Sequence, residues 1–238
     1  MKETTEKILD DIKKSKKEPD YGKIGNGVLY YLCRKHPYHN SEAEIIAKVW
    51  LIGRSYAASI ERNKNRKETV SDNFYKNKVA PKFKEGNAFD NCLSKIRDTE
   101  RITIESIPII LETHKKVIDF IREITGDYRR SFVSKYLHFH FPKLFFLYDS
   151  RVPREINRVI RTCAGFRKRY KELLPKSKKV DKTYADFFVK CSILMQCCKT
   201  KRIKMTPRDI DNFLIKRANK AKTRTIGPEF ELKLKAKM

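Results

Sequence analysis

Apolar residues recur at spacings of three and four along most of the chain, the period of helices that turn one face inward. Strictly alternating runs are few and only eight glycines punctuate the sequence, so no sheet is expected and the fold class reads as all-α. Residues 3–17 read as a weak charged helix and 25–35 as a second. Ser41 and Glu44 have the spacing of a capping box. They open the segment SEAEIIAKVWLIGRSYAASIERNK, which is apolar nearly all round and reads as one central buried helix whose Glu44, Arg54 and Glu61 need partners or a ligand. Residues 62–90, basic and interrupted by Pro81 and Gly86, read as a surface excursion. Helices are expected near 88–98, at 104–112 and at 113–124, and a core helix at 184–198. Thr206-Pro207 starts a last helix, since proline fits the first turn. From about residue 219 to 238 the chain reads as a loose basic tail on a single domain spanning 1–238.

Charge changes this picture most. The chain carries 55 Lys and Arg against 29 Asp and Glu, a net +26, more than solubility requires. Nucleic acid is the commonest polyanion in a cell, so a nucleic-acid partner is expected. The stretch FRKRYKELLPKSKKVDK at 166–182 then reads as a DNA-facing loop. The first twenty residues lack the apolar core of a signal peptide, and no apolar run approaches the roughly 20 residues that span a bilayer. These features predict a cytoplasmic protein without membrane association. Cys33, Cys92, Cys163, Cys191, Cys197 and Cys198 show no paired CxxC spacing, which predicts no bound metal, and the lack of an export signal predicts reduced thiols.

The segment 113–161 holds the densest set of signals. Its first helix presents Val117, Ile118, Ile121 and Ile124 on one face and stops at Thr125-Gly126, where glycine permits a left-handed cap. Ser131 can open a second helix with Phe132, Tyr136, Leu137 and Phe139 on its apolar face, and Pro142 ends it. FFLY is a buried connector to Asp149 and Ser150, which precede a third helix with Pro153 in its first turn.

This helix–turn–helix–loop–helix arrangement resembles the helix-hairpin-helix DNA glycosylases. In that family an aspartate lies just before a helix, 18–20 residues after the second hairpin helix begins; Ser131 and Asp149 here are 18 apart. Where the family hairpin usually reads Leu-Pro-Gly-x-Gly, this chain has ITGDYRRS with Gly126 alone, so Arg129 and Arg130 are expected to replace some backbone contacts to phosphate. The segments SKYLHFHFPKLFFLYDSRV and KVWLIGRSYAASIER are similar to bacterial 8-oxoguanine-glycosylase-like proteins, among them antiviral enzymes that remove glucosylated hydroxymethylcytosine from phage DNA. The resemblance implies a two-lobed fold with its cleft between the lobes, lined by residues 126–135, 148–154 and part of 44–62. It implies a monomer acting on double-stranded DNA with a flipped modified base, with no cofactor: the cysteines lack the tight spacing of the iron–sulfur cluster found in some members.

Cleavage of an N-glycosidic bond builds positive charge on the sugar, and a carboxylate near C1′ stabilises that charge and orients water. The resemblance gives Asp149 this role, the plain alternative being a helix cap. Bifunctional members carry a lysine where Ser131 stands, so a monofunctional enzyme is expected; Lys135, one turn further on, either points to the cleft as a second catalytic candidate or is a solvated or phosphate-contacting lysine. Gly126, Arg129, Arg130, Ser131, Arg151 and Arg154, with Arg158, are candidate phosphate contacts. Trp50, Arg54, Tyr56 and Tyr148 are candidates for the base pocket, the first three being alternatively core residues. His138 and His140 lack the i, i+4 spacing of a helical metal pair and are expected to pack or to contact phosphate. The remaining alternatives are an 8-oxoguanine repair enzyme and a non-catalytic DNA-binding module with the same hairpin.

Overall fold

In a computed structural model the described residues are 4–18, 22–61 and 73–235, with side chains to residue 221. Every regular element among them is helical. The order is α1 (Thr5–Lys17), α2 (Lys23–Lys35), α3 (Glu42–Ser55), α4 (Ala80–Lys84), α5 (Ala88–Leu93), α6 (Ile107–Thr125), α7 (Arg130–His140), α8 (Pro153–Val159), α9 (Phe166–Leu173), α10 (Lys182–Thr200) and α11 (Pro207–Lys235).

The central helix is α7, not α3. Eight consecutive residues of α7, Phe132 to Phe139, are buried, because α2, α3 and α6 all pack against it. Helix α3 instead buries one stripe of Ile45, Lys48, Val49, Ile52 and Gly53. It is also shorter than its apolar pattern suggests. Ala57 turns the chain back at φ +49°, and the Ser59 backbone settles on Gly53, where an added Cβ would lie 3.1 Å from Ser59 Cα. Part of the apolar pattern after Ser55 therefore belongs to a returning strand of chain: Ile60 and Glu61 are buried without being helical. Ser41 makes no side-chain cap, and Glu44 turns to His36 (Nδ1–Oε1 2.7 Å), so the expected capping box does not form. A box does form at α11, where Asp209 N–H donates to Thr206 Oγ1 (3.1 Å) and Thr206 N–H to Asp209 Oδ2 (2.8 Å).

Four further expectations are corrected. Of the excursion at 62–90, residues 62–72 lie outside the described residues, and the rest contributes one face to the core. Tyr75, Val79 and Phe83 follow one another at four-residue spacing across a π-helical turn and α4, and with Phe89 they are buried. Their apolar face is hidden in the sequence by the lysines that alternate with it on the solvent side. Helix α6 runs unbroken through residue 113, since His114, Val117, Ile118 and Ile121 continue the buried stripe of Ile107, Ile110 and Leu111. The basic stretch at 166–182 contains α9 and buries Leu173 and Val180. Helix α11 continues to Lys235 rather than loosening near residue 219. No helix among the described residues is long and apolar enough to cross a membrane.

Candidate functional site

The hairpin begins where α6 stops. Gly126 takes φ +74° and donates its N–H to the Arg122 carbonyl (2.8 Å), closing the last turn. Tyr128 stands half exposed at the tip, with Arg122 and Arg130 over its ring at 4.4 and 5.4 Å. Arg129 pairs with Asp127 (3.3 Å). Arg130 grips both carboxylate oxygens of Asp181 through Nε (2.8 and 2.9 Å), and Asp181 also caps α10 by accepting from Tyr184 N–H (2.8 Å). One arginine thus ties the hairpin to the start of α10. Arg130→Ala is expected to lower stability by on the order of 2 kcal/mol, because it removes a two-point charged contact from a buried carboxylate. Urea denaturation checks this, and an unchanged midpoint would mean that Asp181 is held adequately by its capping bond alone.

Helix α7 then builds the site with two adjacent residues. Lys135, 2% exposed, donates from Nζ to Ser131 Oγ (2.6 Å) and to the Tyr148 carbonyl (2.9 Å). Ser134 Oγ accepts from the Tyr148 N–H (2.9 Å). Both backbone groups of Tyr148 are therefore held by α7, and the residue that follows, Asp149, is presented from a fixed point. Lys135 is neither solvated nor placed to touch phosphate directly. Ser134 was not among the expected site residues: a serine inside an apolar helix stripe has no signal of its own until the connector lies against it.

Asp149 does not cap α8 directly. Its Oδ1 accepts from Arg151 N–H (3.0 Å) and Nε (2.9 Å), Oδ2 accepts from the Arg151 guanidinium (3.1 Å), and its carbonyl accepts from Val152 N–H (3.0 Å). The carboxylate closes a turn one step upstream of the helix, with Pro153 at the first helical position. Its side chain is 18% exposed. Burial disfavours its charge, but the Arg151 hydrogen bonds and the nearby Lys135 ammonium outweigh that and hold the Asp149 carboxyl below the usual carboxylate range. Burial lowers the Lys135 pKa, against the attraction of Asp149 and Asp211.

Helix α11 completes the cluster from far along the chain. Arg208 hydrogen-bonds the Tyr56 hydroxyl and pairs with Asp211 (3.1 Å); Tyr56 in turn donates to Asn26 Oδ1 (2.5 Å), and Lys135 Nζ lies 5.9 Å from the Tyr56 ring centre. Asp211 is the least solvated acid of the group, and burial pushes it up to about 6 against the pull of Arg208 and Lys135, with Asp149 adding to the rise. Further along α11, Asn219 accepts from Arg151 (3.4 Å).

Of the candidate residues, Ser131, Lys135, Tyr148, Asp149, Arg151 and Tyr56 are thus joined by contacts. Trp50 and Arg54 form a separate exposed pair, with Arg54 5.7 Å over the indole and bonded to Glu61 (2.7 Å), which also accepts from Tyr75. The partners that Arg54 and Glu61 require are therefore each other. Arg154 is exposed on α8, and the Tyr148 ring packs edge-on to Phe187 at 5.3 Å. His138 is buried: Nδ1–H donates to the Phe145 carbonyl (2.8 Å), and Nε2 accepts from Tyr30 (2.6 Å). Burial lowers its pKa to about 3, so it is neutral. His140 packs against Tyr136 and His39, with ring centres at 4.9 and 5.3 Å. Two grooves, of about 890 and 590 Å³, are lined by other residues and not by Lys135 or Asp149. Comparison with protein-family models, with curated proteins and with solved structures finds no match.

Proposed function

We propose that this protein is a DNA glycosylase of helix-hairpin-helix type, two-lobed, which hydrolyses the N-glycosidic bond of a flipped modified base. The observation that carries the reading is the placement of Asp149: an ionised carboxylate, partly open to solvent, anchored through Tyr148 to the second hairpin helix of a chain with net charge +26. Such a carboxylate suits an oxocarbenium-like transition state, in which positive charge develops at C1′ and water attacks the opposite face. Arg151 is 53% exposed. A phosphate of the bound strand would compete for it and free the Asp149 oxygens for the sugar and the water. Lys135 compensates the two acids of the cluster and positions Tyr148. Tyr148, next to Asp149 in the chain, and Tyr56, beside Lys135, are the aromatic candidates for the base pocket.

Ser131 stands where bifunctional members carry lysine, and the buried Lys135 Nζ is turned to Ser131 Oγ and the Tyr148 carbonyl rather than to open solvent. The reaction is expected to leave an intact abasic strand, and borohydride is expected to trap no covalent complex. Efficient trapping that disappears in Lys135→Gln would make Lys135 the nucleophile. The substrate favoured by the resemblance is glucosylated hydroxymethylcytosine of phage DNA, in a cytoplasmic antiviral role for a monomer, ahead of 8-oxoguanine. Incubation with duplexes bearing a panel of modified bases, followed by mass spectrometry of what is released, tests this; release of no base from any duplex would sink the enzymatic reading. A second reading has one observation in its favour. Both Asp149 oxygens are engaged by Arg151, as they would be in a DNA-binding module where the aspartate only shapes a turn.

A further inference from the structure

The larger groove lies between α1, α8 and α11, has a volume of about 890 Å³ and does not include Asp149. We propose that it holds the sugar–phosphate backbone of a nucleic-acid strand, as a second contact surface beside the proposed active site. The proposal rests on the nucleic-acid reading of the chain, not on glycosylase chemistry.

Three acids line the groove and each is already engaged. Asp11 meets Arg217 (3.3 Å), Glu18 meets Lys216 (2.9 Å), and Glu155 meets Arg158 (2.9 Å) and Arg217 (3.6 Å). Glu155 is only 3% exposed, so it acts as a buried anchor that fixes two guanidinium groups in the wall. Lys7, Lys14 and Arg161 also line the groove, are exposed, and have no carboxylate partner among the described residues. The cationic excess is therefore aimed at something outside the protein.

Its layout fits an extended anion. Lys7 and Lys14 are seven residues apart on α1, hence about 10 Å along the helix axis, and Lys216 and Lys220 are one turn apart on α11, about 6 Å. Two rows of positive charge face one groove, and a lone inorganic phosphate would reach only one end of either row. Phe213 is the one aromatic among the lining residues and is 2% exposed, so no base can stack on it. Recognition would fall on the backbone and be indifferent to sequence. The groove also adjoins the proposed active site: Arg151, the partner of Asp149, reaches Asn219 on α11 between the groove residues Lys216 and Lys220. A strand leaving the Asp149 site has this track to follow.

The test measures binding of a labelled unmodified duplex, and of the same sequence as a single strand, across a range of salt concentrations. The groove variant Lys7→Glu/Lys14→Glu/Arg161→Glu is compared with Lys76→Glu/Lys84→Glu/Lys95→Glu, an equal charge change at exposed lysines elsewhere. The groove variant is expected to lose at least about tenfold in affinity and about two from the log–log salt slope, since each phosphate contact contributes roughly 0.7 to 0.9. The comparison variant is expected to lose less than about threefold by loss of bulk charge alone. If the groove triple fails to fold, Arg161→Gln should lower the slope by close to one. Equal losses in both triples, or none in the groove variant, would overturn the proposal while leaving the nucleic-acid reading in place. Competition by polyglutamate as strong as that by DNA would overturn it in favour of an acidic polypeptide. A wild-type protein that binds neither probe would overturn the nucleic-acid reading itself.

Discussion

Replacing Asp149 by asparagine is expected to slow base release by roughly 10²- to 10⁴-fold, the contribution of a positioned carboxylate to such a reaction. DNA affinity should stay within about threefold, because surface charge changes by a single unit. Asparagine keeps the size of the side chain and can still accept from the Arg151 N–H, so the turn leading into α8 survives. What disappears is the negative charge. Arg151 is left without its ion pair but is already half in solvent, and such exposed pairs are worth about 1 kcal/mol or less. The measurement is single-turnover release from whichever modified duplex the panel identifies, with binding measured in parallel. Unchanged release would reduce Asp149 to a turn-forming residue and leave the DNA-binding module as the surviving reading.

Asp211→Asn is expected to be more favourable to stability at neutral pH than at acid pH. Burial raises the Asp211 carboxyl from an ordinary 3.8 to about 6. A raised acid binds its proton more tightly in the folded state, so its stabilising contribution is complete below the unfolded value and is lost as pH climbs through the folded one. At about 1.4 kcal/mol per pH unit, the wild type should lose on the order of 3 kcal/mol relative to the variant between about pH 4 and pH 6. The difference between the two urea-unfolding free energies cancels the titrations remote from Asp211 and leaves those of Asp211 and the groups coupled to it, Lys135, Asp149 and Arg208. A difference independent of pH would mean that Arg208 and Lys135 hold Asp211 ionised throughout. The residue matters because a carboxyl titrating near 6, in electrostatic reach of Lys135 and Asp149, couples the charge of the proposed catalytic cluster to pH.

The amino-acid sequence by itself determined the features that depend on neighbours within about one turn of helix. The all-helical class follows from apolar spacing of three and four. The end of α6 follows from Gly126, the only type of residue that takes φ +74° at no cost; the end of α7 follows from Pro142; the opening of α11 follows from Thr206-Pro207. Each is a statement about local dihedral angles or about one or two hydrogen bonds, so a few residues suffice to make it. Apolar spacing alone was less decisive. It joined α3 to the chain that folds back on Gly53, divided α6, and missed the buried stripe at 75–83 beneath its lysines.

Tertiary structure decided which of these elements is central and which side chains meet. Helix α7 is buried all round because three other helices converge on it, and that number cannot be read from its own pattern. Lys135 has the same local sequence context whether it faces water or protein; only the approach of Tyr148 and α11 encloses it. Arg208 and Asp211 lie 59 and 62 residues beyond Asp149, and nothing in the spacing between them marks the three as neighbours. Periodicity assigns a residue to a face of its helix, but the charge, burial and pKa of a cluster depend on which other faces are packed against it. That is why a family resemblance resting on local spacing could point to Asp149, while its ion pair with Arg151 and its coupling to Lys135 and Asp211 emerged only from the packed chain.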